Sequence, residues 1–104
     1  EKSKEKEKVN TFVEATEKYS SHVYEVINIG KKAKGKSKED KVLVEKLVSK
    51  TKKDVEKKIK SNKKILSSAA KAKMPVVVDA VKSTIKELSK LKLKLKQEAS
   101  ELKN

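Results

Sequence analysis

Few of the residue types that ordinarily carry chemistry are present in this chain, and none is arranged for catalysis. His22 is the single histidine and cysteine is absent, so there is no thiolate nucleophile, no Cys-type zinc set and no second imidazole to complete a metal site. Lys18, Tyr19 and Glu25 lie within one turn of His22 on a helix, but they supply no cluster of carboxylates, and His22 reads as an ordinary partly exposed residue. The fifteen acids are interleaved with lysines at helix-surface spacings, and no two of them stand in an apolar setting as a general acid and base. Two glycines cannot build a phosphate-cradling loop. The pattern points away from an enzyme and calls for no cofactor or metal.

What the sequence does offer is positive charge. The net charge is +14, and all 29 basic residues are lysine. Arginine suits bidentate reading of guanine edges and fixed phosphates, whereas lysine acts as a flexible point charge, so sequence-specific DNA reading is disfavoured. An A/T-rich coding sequence would produce the same skew between the two residues. Base stacking on single-stranded nucleic acid is disfavoured too, because Phe12, Tyr19 and Tyr24 are the only aromatics and all lie in the least basic third.

That charge is concentrated. Residues 1–30 hold five Lys and six Glu, whereas residues 31–64 hold fifteen Lys and five acids, and residues 65–104 hold nine Lys and four acids. Within the middle segment Lys46, Lys50, Lys53, Lys57, Lys60 and Lys64 step by four and three, which lines them along about 27 Å of one helix face. The apolar residues Val44, Val48, Val55 and Ile59 are offset by two positions, about 200 degrees round the axis, so the row points outward. Neighbouring like charges repel by a few tenths of a kcal/mol per pair; a long polyanion laid on the row relieves that repulsion and releases counterions. A solvated face that keeps the protein soluble is the competing explanation. Two stretches, Gly30–Gly35 (GKKAKG) and Glu56–Ser61 (EKKIKS), fit the XBBXBX pattern associated with heparin-like glycosaminoglycans, although composition supplies about one such match by itself. Lys31, Lys32, Lys34 and Lys36 thus form a basic loop beside the start of the row.

The elements that position these lysines follow from apolar spacing. Residues 1–8 are wholly polar and read as a flexible tail or frayed helix end. Val9, Phe12, Thr16, Tyr19, Val23 and Val26 then recur at steps of three and four, with Val13 and Ile27 widening the stripe. This predicts a helix over about 9–29, with Thr11 and Glu14 as a capping box and Gly30 as its stop. Residues 30–36 read as the first loop. Ser37 offers an N-cap, and Glu39 and Asp40 place negative charge in the first turn of the next helix.

That helix is expected over 38–73, with Val44, Val48, Thr51, Val55, Ile59, Asn62, Leu66 and Ala69 inward and Leu43, Leu47 and Ile65 at the flanks. Ser61 and Asn62 both favour caps over helix interiors, and a break there would give four helices. Pro75 ends the second helix and suits the first position of a third, over 75–103. Its stripe is Val77, Val81, Thr84, Leu88, Leu91, Leu95, Ala99 and Leu102, which leaves Leu93 pointing away from the core. One domain is expected over 9–104, all-α, an antiparallel up-down-up three-helix bundle. Thr16, Thr51, Asn62 and Thr84 interrupt its seam.

Three functional readings follow. The first is a binding protein for an extended polyanion (a sulfated glycosaminoglycan, polyphosphate or a nucleic acid backbone) through the lysine row and the basic loop. The second is a lipid or anionic-membrane binding protein, resting on Leu91, Leu93 and Leu95 alternating with Lys92, Lys94 and Lys96. The third is a helical module that engages an acidic protein through its grooves. No apolar run approaches the roughly 18 residues of a membrane span. The chain opens on Glu1 instead of Met. That start fits a secreted or surface-exposed protein after signal removal and fits a trimmed chain equally; a cytoplasmic setting stays open, and the oligomeric state is unread.

Overall fold

The computed structural model describes residues 2–103, with side chains described from Lys6 onward. Three helices follow one another, α1 (Lys2–Ala33), α2 (Lys38–Lys71) and α3 (Pro75–Lys103), with no strand among the described residues. Short connections make each helix antiparallel to the one before it, so the chain is an all-α up-down-up bundle. It forms a rod of about 56 × 20 × 14 Å, a length set by helices of 29 to 34 residues rising 1.5 Å per residue.

The core is built mainly from β-branched and leucine side chains. Val23, Val26 and Ile27 of α1, Val48, Val55 and Ile59 of α2, and Leu88, Leu91, Leu95 and Leu102 of α3 form one buried cluster. The closest packing is between α2 and α3, whereas α1 meets α3 more than it meets α2. The polar seam residues bond back onto their own helices. Thr16, Thr51 and Thr84 each donate a hydroxyl to the carbonyl four residues back, at 2.9, 2.9 and 3.1 Å, and the Asn62 Nδ2 donates to the Lys58 carbonyl at 2.7 Å. This back-bonding lets Asn62 sit buried inside an unbroken helix, so the break at Ser61–Asn62 does not occur.

Several boundaries differ from the sequence reading. The first helix begins at Lys2, seven residues before Val9, because Lys and Glu are strong helix formers and extending a nucleated helix is cheap; Thr11 therefore lies inside it, and the capping box with Glu14 does not form. The helix also runs through Gly30 to Ala33. Gly30 keeps a negative φ, and the buried Ala33 beyond it, 1% exposed, adds to the core. The loop is thus confined to residues 34–37, where the Lys36 amide closes a turn onto the Ala33 carbonyl at 3.0 Å. Val13, expected to widen the apolar stripe, is 38% exposed.

At the start of α2 the Ser37 hydroxyl accepts from the Asp40 amide at 3.3 Å, the N-cap the sequence implies. The helix closes at Lys71, two residues before the expected 73. The Met74 amide bonds the Ala69 carbonyl at 3.1 Å and the Lys73 amide bonds the Ala70 carbonyl at 3.2 Å. This is a Schellman closure, and Lys73 occupies its left-handed position with φ 55°, where glycine is the usual residue. Pro75 then opens α3 at the position where its missing N–H costs nothing.

Candidate functional site

The outer face of α2 carries the strongest charge pattern of the molecule. Lys46, Lys50, Lys53, Lys57, Lys60 and Lys64 are all exposed, and Val48, Thr51, Val55, Ile59 and Asn62 on the opposite side of the same helix are buried. Among the described residues none of the six lysines forms an ion pair. Lys71 falls on the same angular face seven residues, or two steps, beyond Lys64 and is also exposed, carrying the row to about 37 Å at 1.5 Å per residue. Sequence reasoning missed Lys71 because Ser67 and Ser68 occupy the positions where the next step was sought.

The row borders a groove between α2 and α3. Its lining includes Ser49, Lys52, Lys53, Lys96, Ser100 and Lys103, with a volume of about 530 Å³. Glu56 also lines it, 3.9 Å from the Lys52 ammonium, and Lys103 reaches Glu45 at 3.8 Å. Four lysines against one lining carboxylate leave the groove basic. Lys53 belongs to both the row and the groove, which joins the two into one anion-attracting surface; Lys52 and Lys103 were not singled out by spacing, because half-buried Lys52 lies off the outward row and exposed Lys103 stands at the end of α3.

The basic loop divides. Lys31, Lys32 and Lys36 are exposed, but the Lys34 ammonium is held by two carboxylates of α3, Glu98 at 2.9 Å and Glu101 in direct contact. Hydrogen bonds to Glu101 and then Glu98 raise the Lys34 pKa above its ordinary 10.5. Lys34 is therefore a structural cation that ties the α1–α2 turn to the end of α3. Glu98 is 5% exposed. A signal for it was present, because Glu98 continues the three-four steps of Leu88, Leu91, Leu95 and Leu102 and so stands in the seam.

On α3 the structure separates the residues grouped by alternation. Leu91 and Leu95 are fully buried, whereas Leu93 is 66% exposed. Lys92 and Lys94 are half-buried and Lys96 is exposed; the Lys94 ammonium lies 5.1 Å from the centre of the Tyr24 ring, a cation–π contact. A similar pairing sets the Lys58 ammonium 4.7 Å above the Tyr19 ring. Burial, and then the negative charge of Asp54, raises the Tyr19 pKa above 10.0. His22 is exposed. Among the described residues no group of three or more His, Cys, Asp or Glu could hold a metal ion, and no helix is long and apolar enough to cross a membrane.

Comparison of the chain with models of protein families, with curated proteins and with solved structures finds no match.

Proposed function

We propose that this chain is a non-enzymatic binding protein for an extended polyanion, which lies along the outer face of α2 and reaches into the α2–α3 groove. The observation that carries the reading is the row of six exposed lysines without carboxylate partners among the described residues, extended by Lys71. Each of these cations is hydrated and surrounded by counterions, and a polymer of closely spaced negative charge displaces them with a gain in entropy. Lysine's flexible point charge suits a backbone of sulfates or phosphates whose spacing need not match the helix. Lys31, Lys32 and Lys36 extend the field beyond the start of α2, while Lys34 contributes nothing to it because its charge is neutralised within the fold.

The membrane reading draws less support from the closed bundle. Leu91 and Leu95 would have to leave the core before α3 could lie on a bilayer, and among the leucines of α3 Leu93 alone faces outward. An acidic protein partner would use the same lysine surface, so the binding panel that tests the proposal includes one.

The test is a salt-titrated comparison of heparin, polyphosphate, duplex and single-stranded nucleic acid, an acidic protein, and anionic and neutral vesicles. Affinity for the preferred polymer falls steeply with salt. Neutralising Lys50, Lys53, Lys57 and Lys60 with glutamine lowers the slope of log K against log salt by about three to four, close to one per contact removed. Binding that ignores salt, or that survives the quadruple change, overturns it.

A further inference from the structure

Beyond the Lys46–Lys64 stretch of the lysine row, the end of the bundle where α1 begins, α2 closes and α3 opens carries an apolar groove. Val9 and Phe12 of α1, Ile65 and Ala69 of α2, and Val77 and Val81 of α3 line most of it, and its volume is about 370 Å³. Ile65 and the neighbouring Val76 are 42% and 52% exposed. Exposed apolar surface gathered around a groove marks a contact site more often than isolated apolar residues do. Among the described residues Lys8 is the one ionisable residue lining the groove. Lys71 and Lys73, both exposed, flank Ala72, which also lines it, with Glu7 and Asp79 the exposed acids nearest in sequence.

From this combination we infer that the groove binds a free fatty acid, with the hydrocarbon chain against Phe12, Ala69 and Val81 and the carboxylate at the Lys8 edge. An apolar lining with one cation on it complements an anion that carries a tail and offers nothing to a hydrophilic polyanion. At ~30 Å³ per water-sized group, the volume takes a chain of about a dozen carbons. Beyond Phe12, which lines both spaces, lies a separate cavity of about 100 Å³ lined by Thr16, Tyr19, Asn62 and Thr84. The Tyr19 hydroxyl and the Asn62 Oδ1 are buried without partners. Hydrocarbon entering there would displace any water able to satisfy them, so the chain stops at Phe12 and longer acids gain nothing further. This inference stands independently of the polyanion reading, because no lysine of the Lys46–Lys64 row lines the groove.

The test is calorimetric titration of the full chain with dodecanoate below its micelle concentration, alongside hexanoate, dodecanol and anionic vesicles, and with three variants. Dodecanoate binds one to one, hexanoate at least tenfold more weakly through its lost methylenes, and dodecanol about three- to tenfold more weakly for want of the charge. Ala80→Leu, which fills the groove, weakens dodecanoate at least tenfold while the thermal midpoint holds or rises, so loss of binding is separated from loss of fold. Lys8→Glu weakens it about three- to tenfold. The quadruple change on the α2 row leaves it intact. The inference is overturned by absence of saturable one-to-one binding, by full binding in Ala80→Leu, by loss of binding in the quadruple variant, or by binding to vesicles alone.

Discussion

Gly30→Ala discriminates sharply between two accounts of the first helix. In the structure Gly30 lies three residues inside α1 with a negative φ, and a Cβ added there meets the Val48 Cγ2 at 3.5 Å and the Glu98 Cβ at 3.6 Å. Both are ordinary van der Waals distances, so the methyl fits without displacing either neighbour. Alanine in place of glycine in a helix interior is worth about 0.8–1 kcal/mol, and burying part of one methyl adds a few tenths more. The expected gain is about 1–1.5 kcal/mol. For a domain of this length each kcal/mol moves the thermal midpoint by roughly 4–8 °C, so unfolding followed by circular dichroism shows a rise of roughly 5–10 °C. Had α1 ended at Gly30, with the glycine in the left-handed region, alanine would cost about 1–2 kcal/mol and the midpoint would fall. An unchanged or lowered midpoint refutes the continuous helix and the packing of Gly30 against Val48 and Glu98.

Other consequences are equally direct. Lys73→Gly relieves the left-handed backbone at the close of α2 and raises stability by about 0.5–1 kcal/mol in denaturant unfolding; a loss would mean that the Lys73 side chain is needed where it stands. Asn62→Leu removes a buried Oδ1 without a partner and fills part of the neighbouring cavity. It stabilises the bundle by about 1 kcal/mol, whereas a loss would show that the amide is satisfied inside that cavity. Lys34 and Tyr19 both have folded pKa values raised above their ordinary 10.5 and 10.0. Each is therefore still protonated in the fold where the unfolded chain has begun to release its proton, and stability falls as pH climbs above about 10. The contribution is fully present below pH 9, and Lys34→Ala flattens the alkaline part of the profile measured by thermal unfolding; an unaltered profile would remove Lys34 from the account.

The architecture was legible because the apolar spacing is regular and the punctuation is sparse. Val48, Val55 and Ile59, or Leu88, Leu91 and Leu95, define a helix face without help from tertiary structure, and Ser37 and Pro75 mark two starts by mechanisms local to the backbone. The errors fell where local preference met packing. Gly30 carries the residue type of a helix stop, yet the buried positions around Ala33 draw the helix past it, and Asn62 carries that of a break, yet its amide is spent on the Lys58 carbonyl. Lys73 is the converse case, a stop without glycine, and no spacing rule would have found it.

Of the candidate site, the outward direction of the α2 lysines was readable from their offset against the apolar stripe. Their freedom from carboxylates was not, and neither was the removal of Lys34 from the basic loop, because Glu98 and Glu101 come to it from more than sixty residues along the chain. The alternation of leucine and lysine over 91–96 likewise suggested one surface, but a helix turns about 100 degrees per residue, and only Leu93 of the three leucines faces outward.

The central claim, that the outer face of α2 binds an extended polyanion as a line of point charges, is tested most directly by the salt dependence of affinity in the parent chain and in the Lys50, Lys53, Lys57 and Lys60 to glutamine variant. The account predicts a steep linear fall of log K with log salt for at least one polymer, and a slope about three to four smaller in the variant, with helical content unchanged. Equal slopes in the two proteins, or no salt-dependent binding to any of the polymers, would contradict it.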